Sequence, residues 1–161
     1  MTLDEEIGFP RGNPDERELL LGWLGYLRGA VLRKVDGLGE AEARWTPEGG
    51  LLPLLGIVNH LTQVEWRWID GGMLGTEVGE SEDEFRPGPE LTVGAAVAAY
   101  RARAEATNTA VWSIASLTEP CRRGGEGTDL RWVLLHLINE AARHAGHADA
   151  TRELLDGVTG E

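Results

Sequence analysis

Residues 128–157 read TDLRWVLLHLINEAARHAGHADATRELLDG. Thr128 can cap a helix at the front of this stretch and Gly157 can close it at the back, which predicts one long helix between them. Three of the four histidines of the chain fall on it, together with Glu140. His136, Glu140 and His144 are spaced four apart, and His147 follows three later. At about 100° and about 1.5 Å of rise per residue, all four side chains lie within about 80° of one face, yet His136 and His144 stand about 12 Å apart along the axis. One ion with ligands at about 2.0–2.2 Å cannot span that distance. It can take an adjacent pair, 136/140, 140/144 or 144/147, and needs a third ligand from elsewhere in the fold. The one remaining histidine is His60. Without an ion, Glu140–His144 reads as an i,i+4 contact and His136 as a core histidine bonded to a carbonyl. Spacing alone leaves these readings open.

Three more segments have helical character. Asn13-Pro14 is placed to open the first, with Asn13 as cap and Pro14 at the first helical position. Along DERELLLGWLGYLRGAVLRKVDGLG, Leu20, Trp23, Leu24, Leu27, Val31 and Val35 then form an apolar face, and Gly37 and Gly39 stop the helix. The linker EAEARWTPEGG leads into LLPLLGIVNHLTQVEWRWIDGGML, which carries His60, with Pro53 early and Gly71-Gly72 at the exit. The acidic, Gly- and Pro-rich tract GTEVGESEDEFRPGPE, within residues 74–90, reads as a long solvated loop. Thr92 can cap TVGAAVAAYRARAEATNTAVWSIAS, which ends near Thr118-Glu119-Pro120, and CRRGGEG is a loop. With no strand and no repeat in view, the chain is expected to be an all-α four-helix bundle, one domain over residues 1–161.

The 161 residues carry 15 Lys and Arg against 27 Asp and Glu, a formal charge of −12. Such a surface disfavours nucleic acid, whose binding rests on neutralised phosphates, and anionic membranes. No stretch approaches the roughly 20 apolar residues of a membrane span, and the acidic N-terminus lacks the apolar core of a secretory signal. A single cysteine, Cys121, allows no intramolecular disulfide. These features make the cytoplasm the expected location. Cys121 beside Arg122 and Arg123 lacks an assigned base, and its loop glycines make no phosphate loop. The six tryptophans (23, 45, 66, 68, 112 and 132) are expected mainly in the core. Glu65, five residues after His60, is a poor co-ligand, and an ion pair with Arg67, Arg44 or Arg131 is expected for it.

Arg44-Trp45, NHLTQVEWRW at 59–68 and the whole of 128–157 resemble the DinB-like superfamily. The nearest resemblance is to its actinobacterial branch related to mycothiol-dependent maleylpyruvate isomerase and the mycothiol S-transferases. It implies a DinB-like four-helix bundle with a divalent metal on three side chains: a histidine of the second helix, matching His60, and two residues four apart on the last, matching Glu140 and His144. Many members carry His-x-x-x-His followed by Arg-Gly-Gln there. This chain has Glu140 and His144 followed by Ala145-Gly146-His147, and a glutamate ligand matches the isomerase-like branch. Zinc suits two imidazoles and a carboxylate with a fourth position open, and nickel or another first-row divalent ion can take the same set.

His136 and His147, one turn either side, are left to orient a ligand or move a proton. The function implied is transfer of a low-molecular-weight thiol, mycothiol or a relative, onto a small electrophilic substrate, by a protein expected to form a homodimer. The isomerases carry a further C-terminal domain, so a stand-alone S-transferase is the form expected here. Metal-assisted hydrolysis, or a non-catalytic metal-binding, dimeric stress-related module, are the alternatives.

Overall fold

The computed structural model describes residues 8–12, 14–79 and 83–160. Five α-helices follow in order: α1 Glu16–Arg33, α2 Glu40–Arg44, α3 Leu54–Trp66, α4 Val93–Ser113 and α5 Leu130–Asp156. A π-helical stretch, Arg67–Met73, continues α3. Among the described residues there is no strand, only an isolated bridge between Pro120 and Asp129. No helix among them is long and apolar enough to cross a membrane. The four long helices match the expected bundle, and the linker adds the short α2, in which Glu42 accepts the Gly39 N–H at 2.8 Å.

The helix ends follow local chemistry and differ in detail from expectation. Asp15, one residue past Pro14, caps α1 by accepting the Glu18 N–H at 2.9 Å, and Glu18 accepts the Asp15 N–H in return. Asn13, the expected cap, lies outside the described residues. Thr92 caps α4 as expected. Asp129 rather than Thr128 caps α5, because the Thr128 hydroxyl turns back to the Gly125 carbonyl and Cys121. Gly157 ends α5 with φ +78°, a left-handed conformation open to glycine. Gly71 and Gly72 lie inside the π stretch rather than beyond the helix.

α1 packs chiefly on α5 and α3 on α4, with α3 and α5 meeting between them. The apolar core forms two clusters. One gathers Leu24, Val64, Ile69, Leu130, Leu134 and Ala141; the other gathers Val31, Leu54, Val58, Leu61, Tyr100 and Ala148. A polar waist of side chains interrupts this core between the helices. On one side of it Arg28 of α1, 1% exposed, pairs with Glu65 of α3, 3% exposed, through two hydrogen bonds of 2.8 and 2.6 Å. Arg28 also donates to Asn108 of α4 at 3.0 Å. Burial disfavours the charge on Arg28, but the Glu65 carboxylate against it more than compensates and holds the guanidinium firmly protonated.

The partner expected for Glu65 was therefore misplaced. Arg67 binds Glu84, Arg44 binds loop carbonyls and Arg131 binds Glu16, while Arg28, 37 residues away in sequence, is the one that faces Glu65. The tryptophans also depart from expectation. None of the six is fully buried, and Trp45, Trp112 and Trp132 are exposed. Aliphatic residues fill the helix interfaces, and the indoles ring them.

Candidate metal centre

On the other side of the waist, α3 and α5 bring His60, Glu140 and His144 together. One donor atom from each lies within 4.8 Å of the others. His60 Nε2 is 3.5 Å from Glu140 Oε2, and His144 Nε2 is 3.6 Å from the same oxygen. Donors at about 2.1 Å around a tetrahedral ion are separated by about 3.4 Å, so these spacings fit a single ion of that kind. They are too long for good hydrogen bonds.

His60 Nδ1 lies 2.8 Å from Glu84 Oε2, so the ring proton of a neutral His60 belongs on Nδ1. The Nε2 lone pair then faces a carboxylate oxygen. His144 is neutral at pH 7, since burial, reinforced by the charge of His60 and opposed by Glu140, lowers its pKa to about 4. Lone pairs converging on a carboxylate without a proton between them form an arrangement that a cation relieves.

Glu84 belongs to the acidic tract expected to be a solvated loop. Residues 83–88 instead lie as a strap across α3. Arg67 grips both Glu84 oxygens, one of them at 3.2 Å. Asn59 donates to the Glu84 carbonyl at 2.9 Å, and the Phe85 ring stacks on His60 with centroids 4.2 Å apart. At the far end Arg44 of α2 donates to the carbonyls of Pro87, Gly88 and Leu91, at 2.6, 2.9 and 2.6 Å. Burial pushes the Glu84 carboxyl up, but hydrogen bonds and charge from Arg67 and His60 outweigh it and hold the group below the ordinary carboxylate range. Glu84 and Phe85 are the residues that sequence reasoning missed. A lone phenylalanine inside an acidic run was the only available signal.

The two flanking histidines lie apart from this convergence. His147 is exposed on the outer side of His144, its Nδ1 3.5 Å from the His144 Nδ1. His136 stacks on Trp132, rings 10° from parallel, and meets Trp68 edge-on. Burial lowers its pKa against the opposing pull of Glu140. Cys121 packs against Met73, and its sulfur accepts the Thr128 hydroxyl at 3.2 Å.

The shift at His144 carries a signed prediction for the metal-free protein. In the unfolded chain this imidazole protonates below about pH 6.5. In the fold it does so only near pH 4. Between those values the unfolded state binds the extra proton, so stability falls as pH drops from about 6.5 to 4, by up to about 3 kcal/mol, with no contribution above 6.5. Urea melts of metal-free wild type and His144→Gln at pH 7.5 and 4.5 check this. The variant is expected to lose markedly less on acidification.

A helical bundle that gathers two imidazoles and a carboxylate from facing helices is a DinB-like bundle with a candidate metal centre. The mycothiol-S-transferase family model matches residues 19–157, and the chain belongs to that family. No curated protein matches it in sequence. Among solved structures, a conserved protein from Enterococcus faecalis superposes with a TM-score of 0.68 at 14% identity, covering 91% of this chain and all of that one, which bears on the fold alone.

Proposed function

We propose that this chain is a metal-dependent S-transferase in which His60, Glu140 and His144 hold one divalent ion, zinc before nickel, beside the binding place of a low-molecular-weight thiol. The observation that carries the reading is the convergence of His60 Nε2 and His144 Nε2 on one Glu140 oxygen, at 3.5 and 3.6 Å, with all three donors within 4.8 Å of one another. Family membership supports mycothiol as the thiol. A divalent ion bound by these side chains supplies the Lewis acidity that favours thiolate over thiol at neutral pH.

The sulfur then bonds to an electrophilic carbon, and the leaving group departs with the bonding electrons. The thiol proton must be taken up nearby. His136, one turn from Glu140 on α5, and His147, beside His144, are the imidazoles we assign to accept it. The Phe85 ring covers one face of His60, and the indoles of Trp68 and Trp132 pack around His136.

Elemental analysis of the purified protein tests the ligand set. One divalent ion per chain is expected in wild type and in His136→Ala, and none in His60→Ala, Glu140→Ala or His144→Ala. With mycothiol and a chromogenic aryl halide, turnover is expected to require both thiol and ion. An ion-free wild type after zinc loading and washing overturns the proposal. So does ester hydrolysis that proceeds equally well without thiol while no thiol adduct forms.

A further inference from the structure

We infer that Glu84 is a positioning residue: delivered by the 83–88 strap, it accepts the hydrogen bond of the His60 Nδ1–H and so aims the Nε2 lone pair at Glu140 and His144. The inference rests on the proposal that these three side chains hold an ion, and it adds a residue from outside the helices that carry them. The His60 side chain has freedom of tautomer and of ring flip: the other tautomer would turn an N–H toward the Glu140 carboxylate, and a flip would put a C–H where the Nε2 lone pair stands. Glu84 Oε2 at 2.8 Å from Nδ1 selects one tautomer. Phe85, stacked on the same ring at 26° between planes, fixes its rotation.

The carboxylate is itself immobilised. Arg67 spans both its oxygens, and Asn59 holds its backbone carbonyl. Arg67 sits at the first position of the π stretch, seven residues after His60, and the ion pair joins the two ends of that segment through the strap. Were Glu84 merely a surface partner for Arg67, nothing would require one of its oxygens to be shared with an imidazole. Its side chain is 10% exposed and that of His60 14%, so the contact is shielded from water. Carboxylates bonded to the far nitrogen of a metal-binding histidine fix its orientation and raise its basicity, and their loss typically weakens metal binding about 10–100-fold.

Zinc affinity measured by chelator competition on the full chain tests this, with Glu84→Ala and Glu84→Gln beside wild type. Glu84→Ala is expected to bind zinc about 10–100-fold more weakly. Glu84→Gln, whose amide oxygen still accepts an N–H, is expected to fall between it and wild type. Ring nitrogen shifts of His60 in the metal-free protein, read by NMR, give a second readout independent of any ion. The Nδ1–H tautomer is expected to dominate in wild type and in Glu84→Gln and to lose that dominance in Glu84→Ala. Equal zinc affinity in wild type and Glu84→Ala, or an Nε2–H tautomer in wild type, overturns the inference. If wild type binds no zinc, the metal reading fails, and the tautomer alone then decides whether Glu84 orients His60.

Discussion

Replacing Arg28 by alanine is expected to lower the free energy of unfolding by about 3–5 kcal/mol, because the partner left behind is a charge with nowhere to go. Glu65 is 3% exposed and accepts two hydrogen bonds from the guanidinium, which also ties α1 to Asn108 of α4. Without Arg28 the carboxyl must either stay ionised in an apolar interface or take up a proton. For a chain of this length the loss corresponds to a fall in melting temperature of roughly 10 °C or more.

The double variant Arg28→Met, Glu65→Leu removes both charges and keeps most of the volume, so it should recover most of the stability and could exceed wild type. Circular-dichroism melts of the single and double variants make the comparison. Equal losses in the two would mean that packing of the long Arg28 side chain, rather than the stranded charge, sets the cost.

The second large effect is expected at Gly56 on α3. A methyl group there would overlap the Phe85 carbonyl and come within 2.8 Å of its Cα. Backbone on both sides leaves no flexible side chain to move aside, so the strap must lift. Gly56→Ala is expected to cost about 1–3 kcal/mol of stability, as overpacking does. By drawing Glu84 away from His60 it should also weaken zinc binding about 10–100-fold, without touching any donor atom. Near-wild-type zinc affinity in a folded Gly56→Ala protein would show that the strap can reseat around the added methyl group.

The long helices were legible because their apolar periodicity and capping residues agree, as Leu20, Leu24 and Val31 on α1 show. The three candidate donors were legible as well. Geometry on one helix narrowed α5 to neighbouring pairs, and the resemblance chose among them. What stayed hidden depends on contacts between distant segments. Glu65 offers no local hint that its partner lies on α1. The π stretch differs from an α-helix by one extra residue per hydrogen-bonded turn, and Gly71-Gly72 resembled an ordinary exit. Glu84 was obscured by its setting, since an acidic, Gly- and Pro-rich tract looks solvated whether or not one carboxylate folds inward. Arg44, read as part of a motif and as one of three candidate partners of Glu65, instead holds the far end of that tract through three carbonyls.

The pairing of α1 with α5 has a consequence for how the molecule comes into being. Of these two helices α1 leaves the ribosome first, and its main partner, α5, follows about 100 residues later. Until then the apolar flank of α1, with Leu20, Leu21 and Leu24, lacks its largest contact and has only residues of α3, the π stretch and α4 to pack on. Docking of α1 on α5 must await release of α5, and apolar surface left open in the interval is where aggregation would start. Glu140 and His144 ride on that same later helix, so a metal held by them with His60 would be captured only after α5 has been made.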